Sequence, residues 1–139
     1  MRRTSPETHV YEIAKSFGFS ASHRLERLPE GHKCRRLHGH NYTVEIRLIA
    51  EELDEQDFVA DFGELDRVGE WLRVAFDHRH LNDVLTVDPT CERLAEVIYE
   101  WCVRHLPSAL TPMLHAVRVS ESPSSWAEYR RAAETETAR

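Results

Sequence analysis

From Tyr42 onward the chain alternates between apolar and polar positions, with Tyr42, Val44, Ile46 and Leu48 on one side and Thr43, Glu45 and Arg47 on the other. A period of two marks a strand with one buried face, and here it predicts a strand ending near Ala50. Residues 9–23 alternate in the same way. Tyr11, Ile13, Phe17, Phe19 and Ala21 fall on one face, Glu12, Ala14, Ser16, Gly18, Ser20 and Ser22 on the other, and His23 continues the apolar face at the strand's end. The connection between these strands is about fifteen residues long and holds Pro29-Glu30-Gly31, a turn signal. So long a connection inside a small domain points to a functional segment.

Beyond Ala50, the acidic run 51–57 reads as an exposed turn and Phe58-Val59-Ala60 as a short strand. Asp61, with Glu64 three positions on, has the spacing of a capping box that opens a helix. Phe62, Leu65, Val68, Leu72, Ala75 and Phe76 form that helix's buried stripe, and residues 77–83 end it and enter a loop. Thr90 caps a second helix whose apolar side is Leu94, Val97, Ile98, Trp101, Cys102 and His105, stopped by Pro107. A strand over 114–121 places Val117, Val119 and Glu121 on one face. Pro123 interrupts, and 125–131 form a last short strand. The order β-β-β-α-α-β-β predicts an α+β domain, an antiparallel sheet with two helices on one face. One domain over 1–139 is expected, with 1–8 and 132–139 as disordered tails. Its small sheet leaves open edges that pairing with copies of the same chain would remove.

Composition narrows the classes. A net charge of −6 excludes a general nucleic-acid binder, which needs a basic face. The cations are nonetheless uneven: Arg24, Arg27, Lys33, Arg35 and Arg36 crowd one stretch, which reads either as a solvated loop or as an anion site for phosphates. No apolar run approaches the roughly 20 residues of a membrane span, and Met1 to Pro6 lead into no apolar stretch of a secretory signal, so a cytoplasmic location is expected. Three cysteines at irregular spacing imply no disulfide framework. Cys102 sits in an apolar helical stretch as a small core residue, whereas Cys34 lies among cations that favour its thiolate.

The candidate chemistry is concentrated in Cys34-Arg35-Arg36-Leu37-His38-Gly39-His40-Asn41-Tyr42. Residues two apart on a strand share a face about 6.6 Å apart along the backbone. If the strand register runs back through the motif, His38 and His40 converge on one ion, and His23 joins them from the neighbouring strand. Gly39 between them allows another backbone to approach. Three neutral imidazoles suit zinc and leave a fourth position for water or substrate, the arrangement of a catalytic site. A lone strand histidine is more often structural or solvated, so the three gain weight only as a set.

That set does not stand alone. Phe19-Ser20-Ala21-Ser22-His23, Glu30-Gly31-His32-Lys33-Cys34, Leu37-His38-Gly39-His40-Asn41-Tyr42, Val59-Ala60-Asp61-Phe62, Leu65, Asp77-His78-Arg79-His80-Leu81-Asn82, Pro89-Thr90-Cys91-Glu92 and Val119-Ser120-Glu121 occur in this order. Over roughly residues 9–131 the chain resembles the 6-pyruvoyltetrahydropterin synthase family, most closely its bacterial 6-carboxytetrahydropterin synthase branch. The resemblance implies the tunnelling fold, with subunit sheets joined into a trimeric barrel and two trimers stacked as a hexamer that carries its sites at subunit interfaces. It implies zinc on His23, His38 and His40, with Cys34 and the Asp77–His78 pair moving protons. Glu121 would recognise the pterin, with Thr90 and Glu92 beside it, although Thr90 is already explained as a helix cap. The implied reaction takes 7,8-dihydroneopterin triphosphate to 6-carboxytetrahydropterin with loss of triphosphate and acetaldehyde, an early step toward 7-deazapurines such as queuosine. The ion would act as a Lewis acid on the substrate's hydroxyl oxygens. The pyruvoyl branch stops earlier, and the three residues between Cys34 and His38 favour the carboxy branch. Phe58 and Cys91 depart from the family's commoner residues. A rival reading closes a four-ligand structural site with Cys34, His23, His38 and His40 and leaves Asp77, His78 and Glu121 without a role.

Overall fold

The computed structural model describes residues 7–132. Of the expected tails only Glu7, Thr8 and Ala132 lie within that span, in irregular backbone; the rest falls outside the described residues. The two alternating stretches form the central hairpin. β1 (Tyr11–His23) and β2 (His38–Ala50) pair antiparallel over their whole length, from Tyr11 opposite Ala50 to His23 opposite His38. The period-2 pattern fixes this register, because a slip of one residue would turn Val44, Ile46 and Leu48, all fully buried, toward water. Each such side chain contributes about 1.5–3 kcal/mol by burial.

The sheet order is β3-β1-β2-β4-β5. β4 (Leu114–Ser122) runs antiparallel to β2, and β5 (Ser125–Tyr129) antiparallel to β4. The expected strand at Phe58–Ala60 is absent. Asp54 Oδ1 accepts from the backbone N–H groups of Gln56 and Phe58, both at 2.9 Å, and Asp57 sits at φ 64°, so the chain turns over 54–58 and ties up the Phe58 N–H at the point where the strand was expected to begin. The remaining strand is instead β3 (Arg79–His80), and it runs parallel to Ala21–Ser22 of β1. The sheet is therefore mixed, with four long or medium antiparallel strands and a two-residue parallel edge.

Helices cover one face. A 3-10 turn (Phe62–Leu65) leads into α1 (Asp66–Ala75), and Asp61 caps it through Gly63 N at 2.8 Å rather than through Glu64. Leu65, Val68, Leu72 and Phe76 are buried as expected, but Phe62 is 51% exposed because the 3-10 turn rotates it off the helical stripe. α1 lies so close to β1 at Gly69 that a Cβ there would fall 2.7 Å from the Phe17 ring. α2 (Leu81–Val84) is a single turn. α3 (Cys91–His105) starts at Thr90, whose Oγ1 accepts from Arg93 N at 3.1 Å, and packs Leu94, Ala95, Ile98, Tyr99 and Cys102 against β4 and β5. His105 itself is exposed. Among the described residues no helix is long and apolar enough to cross a membrane.

The 24–37 connection is tied down despite its length. Asn82 exchanges two hydrogen bonds of 2.9 Å with the Arg24 backbone, and Asp88 accepts from Arg27 N at 2.9 Å. Gly31 takes φ +90° in the turn closed by His32 N donating to Pro29 O, a conformation in which a Cβ is costly. Gly39 proves less demanding than its place suggests, since a Cβ would meet only Ala21 O at 3.4 Å, an ordinary contact.

Candidate active site

The hairpin register delivers the three histidines to one place. His23 faces His38 across the strand ends, His40 lies opposite Ala21 two pairs inward, and their ligand nitrogens all lie within 4.8 Å of one another. Hydrogen bonds fix the tautomers. A carbonyl oxygen can only accept, so His23 Nδ1 donates to Pro89 O (2.8 Å) and His38 Nδ1 donates to Arg36 O (2.6 Å). In the neutral rings both Nε2 atoms then carry lone pairs, yet they stand 2.9 Å apart. Two acceptors at that distance repel unless a cation lies between them. His40 Nε2 is buried without a hydrogen bond, its nearest carboxylate oxygen, Glu121 Oε2, being 3.5 Å away. Burial holds the His23 pKa below its ordinary value, which keeps that ring neutral and able to ligate. Pro89 O and Arg36 O are the outer groups that orient the ligands. The cluster thus fits a metal ion on His23, His38 and His40.

Cys34 is not part of it. The residue sits half-buried in a 3-10 turn (Lys33–Arg35), its carbonyl accepting from Leu25 N and its N–H donating to His32 Nδ1. Among the described residues the metal-competent group comprises the three histidines alone.

Asp77 and His78 do form a dyad, His78 Nδ1 lying 3.0 Å from Asp77 Oδ2. The end of α1 docks on the β1 edge to make it. Ser20 N donates to Asp77 Oδ1 (2.9 Å), His78 N donates to Ser20 O (2.6 Å), and His78 adopts the left-handed region at φ 58°. The Ser20 hydrogen bond, and then His78, hold the Asp77 carboxyl below its usual range. The His78 side chain is 82% exposed and lines, together with His40, one cavity of about 500 Å³.

The residues expected at the substrate come together. Thr90, Glu92 and Glu121 line one cavity of about 210 Å³ with Leu25, Cys91 and Trp126. Glu121 Oε2 accepts from Cys91 Sγ at 3.6 Å, and burial together with the Glu121 charge pushes the Cys91 thiol up to about 12. Glu121 and Trp126 also border a larger cavity of about 640 Å³ that reaches His40 and Asn41. Cys91 and Trp126 were not singled out from the sequence as site residues. Cys91 stands between Thr90 and Glu92 at the start of α3, which was a usable signal, whereas Trp126 in a short edge strand gave none.

A mixed sheet with helices on one face and a tautomer-locked imidazole cluster at its strand ends defines a tunnelling-fold protein able to bind a metal. A model of 6-pyruvoyl tetrahydropterin synthase matches residues 12–132, and the chain belongs to the 6-pyruvoyl tetrahydropterin synthase family. It is similar to the 6-carboxy-5,6,7,8-tetrahydropterin synthase of Bacillus subtilis, 33% identical over 130 residues that cover 88% of this chain and 86% of that protein. The enzyme of the same name from Synechocystis is 37% identical over 126 residues, covering 86% and 93%. The fold matches the structure of Caenorhabditis elegans 6-pyruvoyl tetrahydropterin synthase with a TM-score of 0.77 at 24% identity, over 90% of this chain and 98% of that one.

Proposed function

We propose that the protein is a zinc-dependent 6-carboxy-5,6,7,8-tetrahydropterin synthase, a lyase that takes 7,8-dihydroneopterin triphosphate and water to 6-carboxytetrahydropterin, triphosphate and acetaldehyde. The observation that carries this reading is the 3.5 Å approach of Glu121 Oε2 to His40 Nε2. It sets a carboxylate suited to a pterin's paired N–H donors at the rim of a metal-competent cluster. The names of the Bacillus and Synechocystis relatives support the carboxy product over the pyruvoyl one.

When bound to His23, His38 and His40, zinc supplies a Lewis acid toward the hydroxyl oxygens of the substrate's side chain. The chain's own groups do the rest. Glu121 accepts the N–H donors of the 2-aminopyrimidinone ring, in the cavity that Thr90 and Glu92 share. Asp77 holds His78 Nδ1 as a donor and leaves its Nε2 to exchange a proton with the substrate's side chain. Cys34 is the second proton-transfer group.

Because Cys34 stands apart from the cluster on its own chain, we assign the complete site to the junction of copies in a homohexamer. Its sheets would join into a barrel. Among the described residues the outer edge of β1 is paired only at Ala21 and Ser22, and β5 pairs only with β4. Such open edges favour self-pairing.

Metal removal tests the assignment. After chelation the protein is expected to keep its far-ultraviolet circular dichroism and lose turnover of dihydroneopterin triphosphate, with recovery on addition of one zinc per chain. Unfolding on chelation would make the ion a structural staple and overturn the catalytic reading.

A further inference from the structure

The small cavity has one wall that neither the metal nor the acid–base groups explain. Trp126 is 57% exposed on β5, an unusual place for a large apolar ring that must also face water. Arg118 lies over the indole at 3.7 Å from its centroid, and Arg118 is itself held by Glu128 through Nε and Nη2, both at 3.1 Å. The indole is therefore braced on one face, and among the described residues no other ring or cation is stacked on it. It lines the same cavity as Glu121 and is the one aromatic ring among the residues that do. That cavity, at about 210 Å³, falls short of the roughly 300–1,000 Å³ of a drug-sized site. It is on the scale of a single small ring system.

We propose that Trp126 is the stacking platform for the substrate's bicyclic ring, an inference that rests on the pterin reading above. A flat heterocycle whose donor edge meets Glu121 must leave its faces to the groups flanking that carboxylate. Of these Trp126 offers the largest apolar surface, with Leu25 the next. Stacking on an aromatic ring is indifferent to the ring's substituents, so the platform would bind pterins as a class while Glu121 sets their orientation.

The test uses the intact, metal-loaded protein and its variants Trp126→Ala, Trp126→Phe and Glu121→Gln. Each is titrated calorimetrically with neopterin, which has the ring and no phosphates, and its mass is followed by light scattering. Trp126→Ala is expected to weaken neopterin binding by about 10-fold or more, the scale of one lost base–aromatic stack, and Trp126→Phe to restore most of it. Neopterin should quench tryptophan fluorescence in the wild type and much less in Trp126→Phe, since Trp71 and Trp101 stack on each other at 4.5 Å away from the cavity. Wild-type affinity in Trp126→Ala alongside weak binding in Glu121→Gln would refute the platform and leave the pterin reading standing. Failure of the wild type to bind neopterin would refute the pterin reading itself. A Trp126→Ala protein that dissociates, with no rescue by Phe, would make the indole a subunit contact and overturn the proposal.

Discussion

Replacing Glu121 by Gln isolates one charge at the centre of the site. The side chain keeps its shape, and the amide oxygen still accepts one hydrogen bond from the ring. The other carboxylate oxygen becomes an N–H donor facing the substrate's own donors, so at least one charge-assisted hydrogen bond is lost. Such a bond is worth about 1.5–3 kcal/mol, which corresponds to a rise of about 10–150-fold in KM for dihydroneopterin triphosphate. The structure adds a second readout. Cys91 Sγ donates to Glu121 Oε2 at 3.6 Å, and the Glu121 charge is one cause of its thiol standing near 12. Without that charge the Cys91 pKa should fall while burial keeps it above the ordinary value, and the change is measurable as thiolate absorbance against pH. Metal content should stay unchanged, because His23, His38 and His40 keep their orienting carbonyls. An unaltered KM would reduce Glu121 to a solvated strand end. Loss of metal would place its carboxylate in the ion's coordination instead of the substrate's recognition.

Three further outcomes are expected. Cys34→Ala should fold, retain metal on the three histidines and lose about 10²–10⁴-fold in kcat, the usual worth of a positioned acid–base group; loss of metal and fold together would make the thiol a ligand. Gly69→Ala, ordinarily worth about 1 kcal/mol of helix propensity, should instead lower the melting temperature, because its Cβ would fall 2.7 Å from the Phe17 ring and overpacking costs about 1–3 kcal/mol. A raised melting temperature would mean that Phe17 swings aside freely. Light scattering at micromolar concentration should give a multiple of the 16.2 kDa chain mass, and a monomer would remove the open-edge rationale for a shared site.

The strand hairpin and the imidazole cluster were legible because both depend on period two. Once Tyr42, Val44, Ile46 and Leu48 must face inward, His38 and His40 follow on the same face, and the pairing brings His23 opposite His38. The carbonyls that fix the tautomers, Pro89 O and Arg36 O, were not legible, since any residue type supplies a backbone oxygen. Phe58–Ala60 misled for a local reason. Val59 and Ala60 are buried like strand residues, but the Asp54 carboxylate captures the N–H of Phe58 along with that of Gln56 and closes a turn over 54–58, just where the strand was expected to begin. β3 escaped notice because two residues carry no periodicity, and its pairing follows from the docking of Asp77 and His78 onto Ser20. The same docking made a dyad of two neighbours that sequence adjacency alone leaves undecided.

The measurement closest to the central claim is mass analysis of the products formed when the zinc-loaded protein is incubated with 7,8-dihydroneopterin triphosphate. The account predicts 6-carboxytetrahydropterin together with acetaldehyde and triphosphate in equal amounts. Accumulation of 6-pyruvoyltetrahydropterin with no acetaldehyde would contradict the assigned product, and unchanged substrate would contradict the assigned reaction.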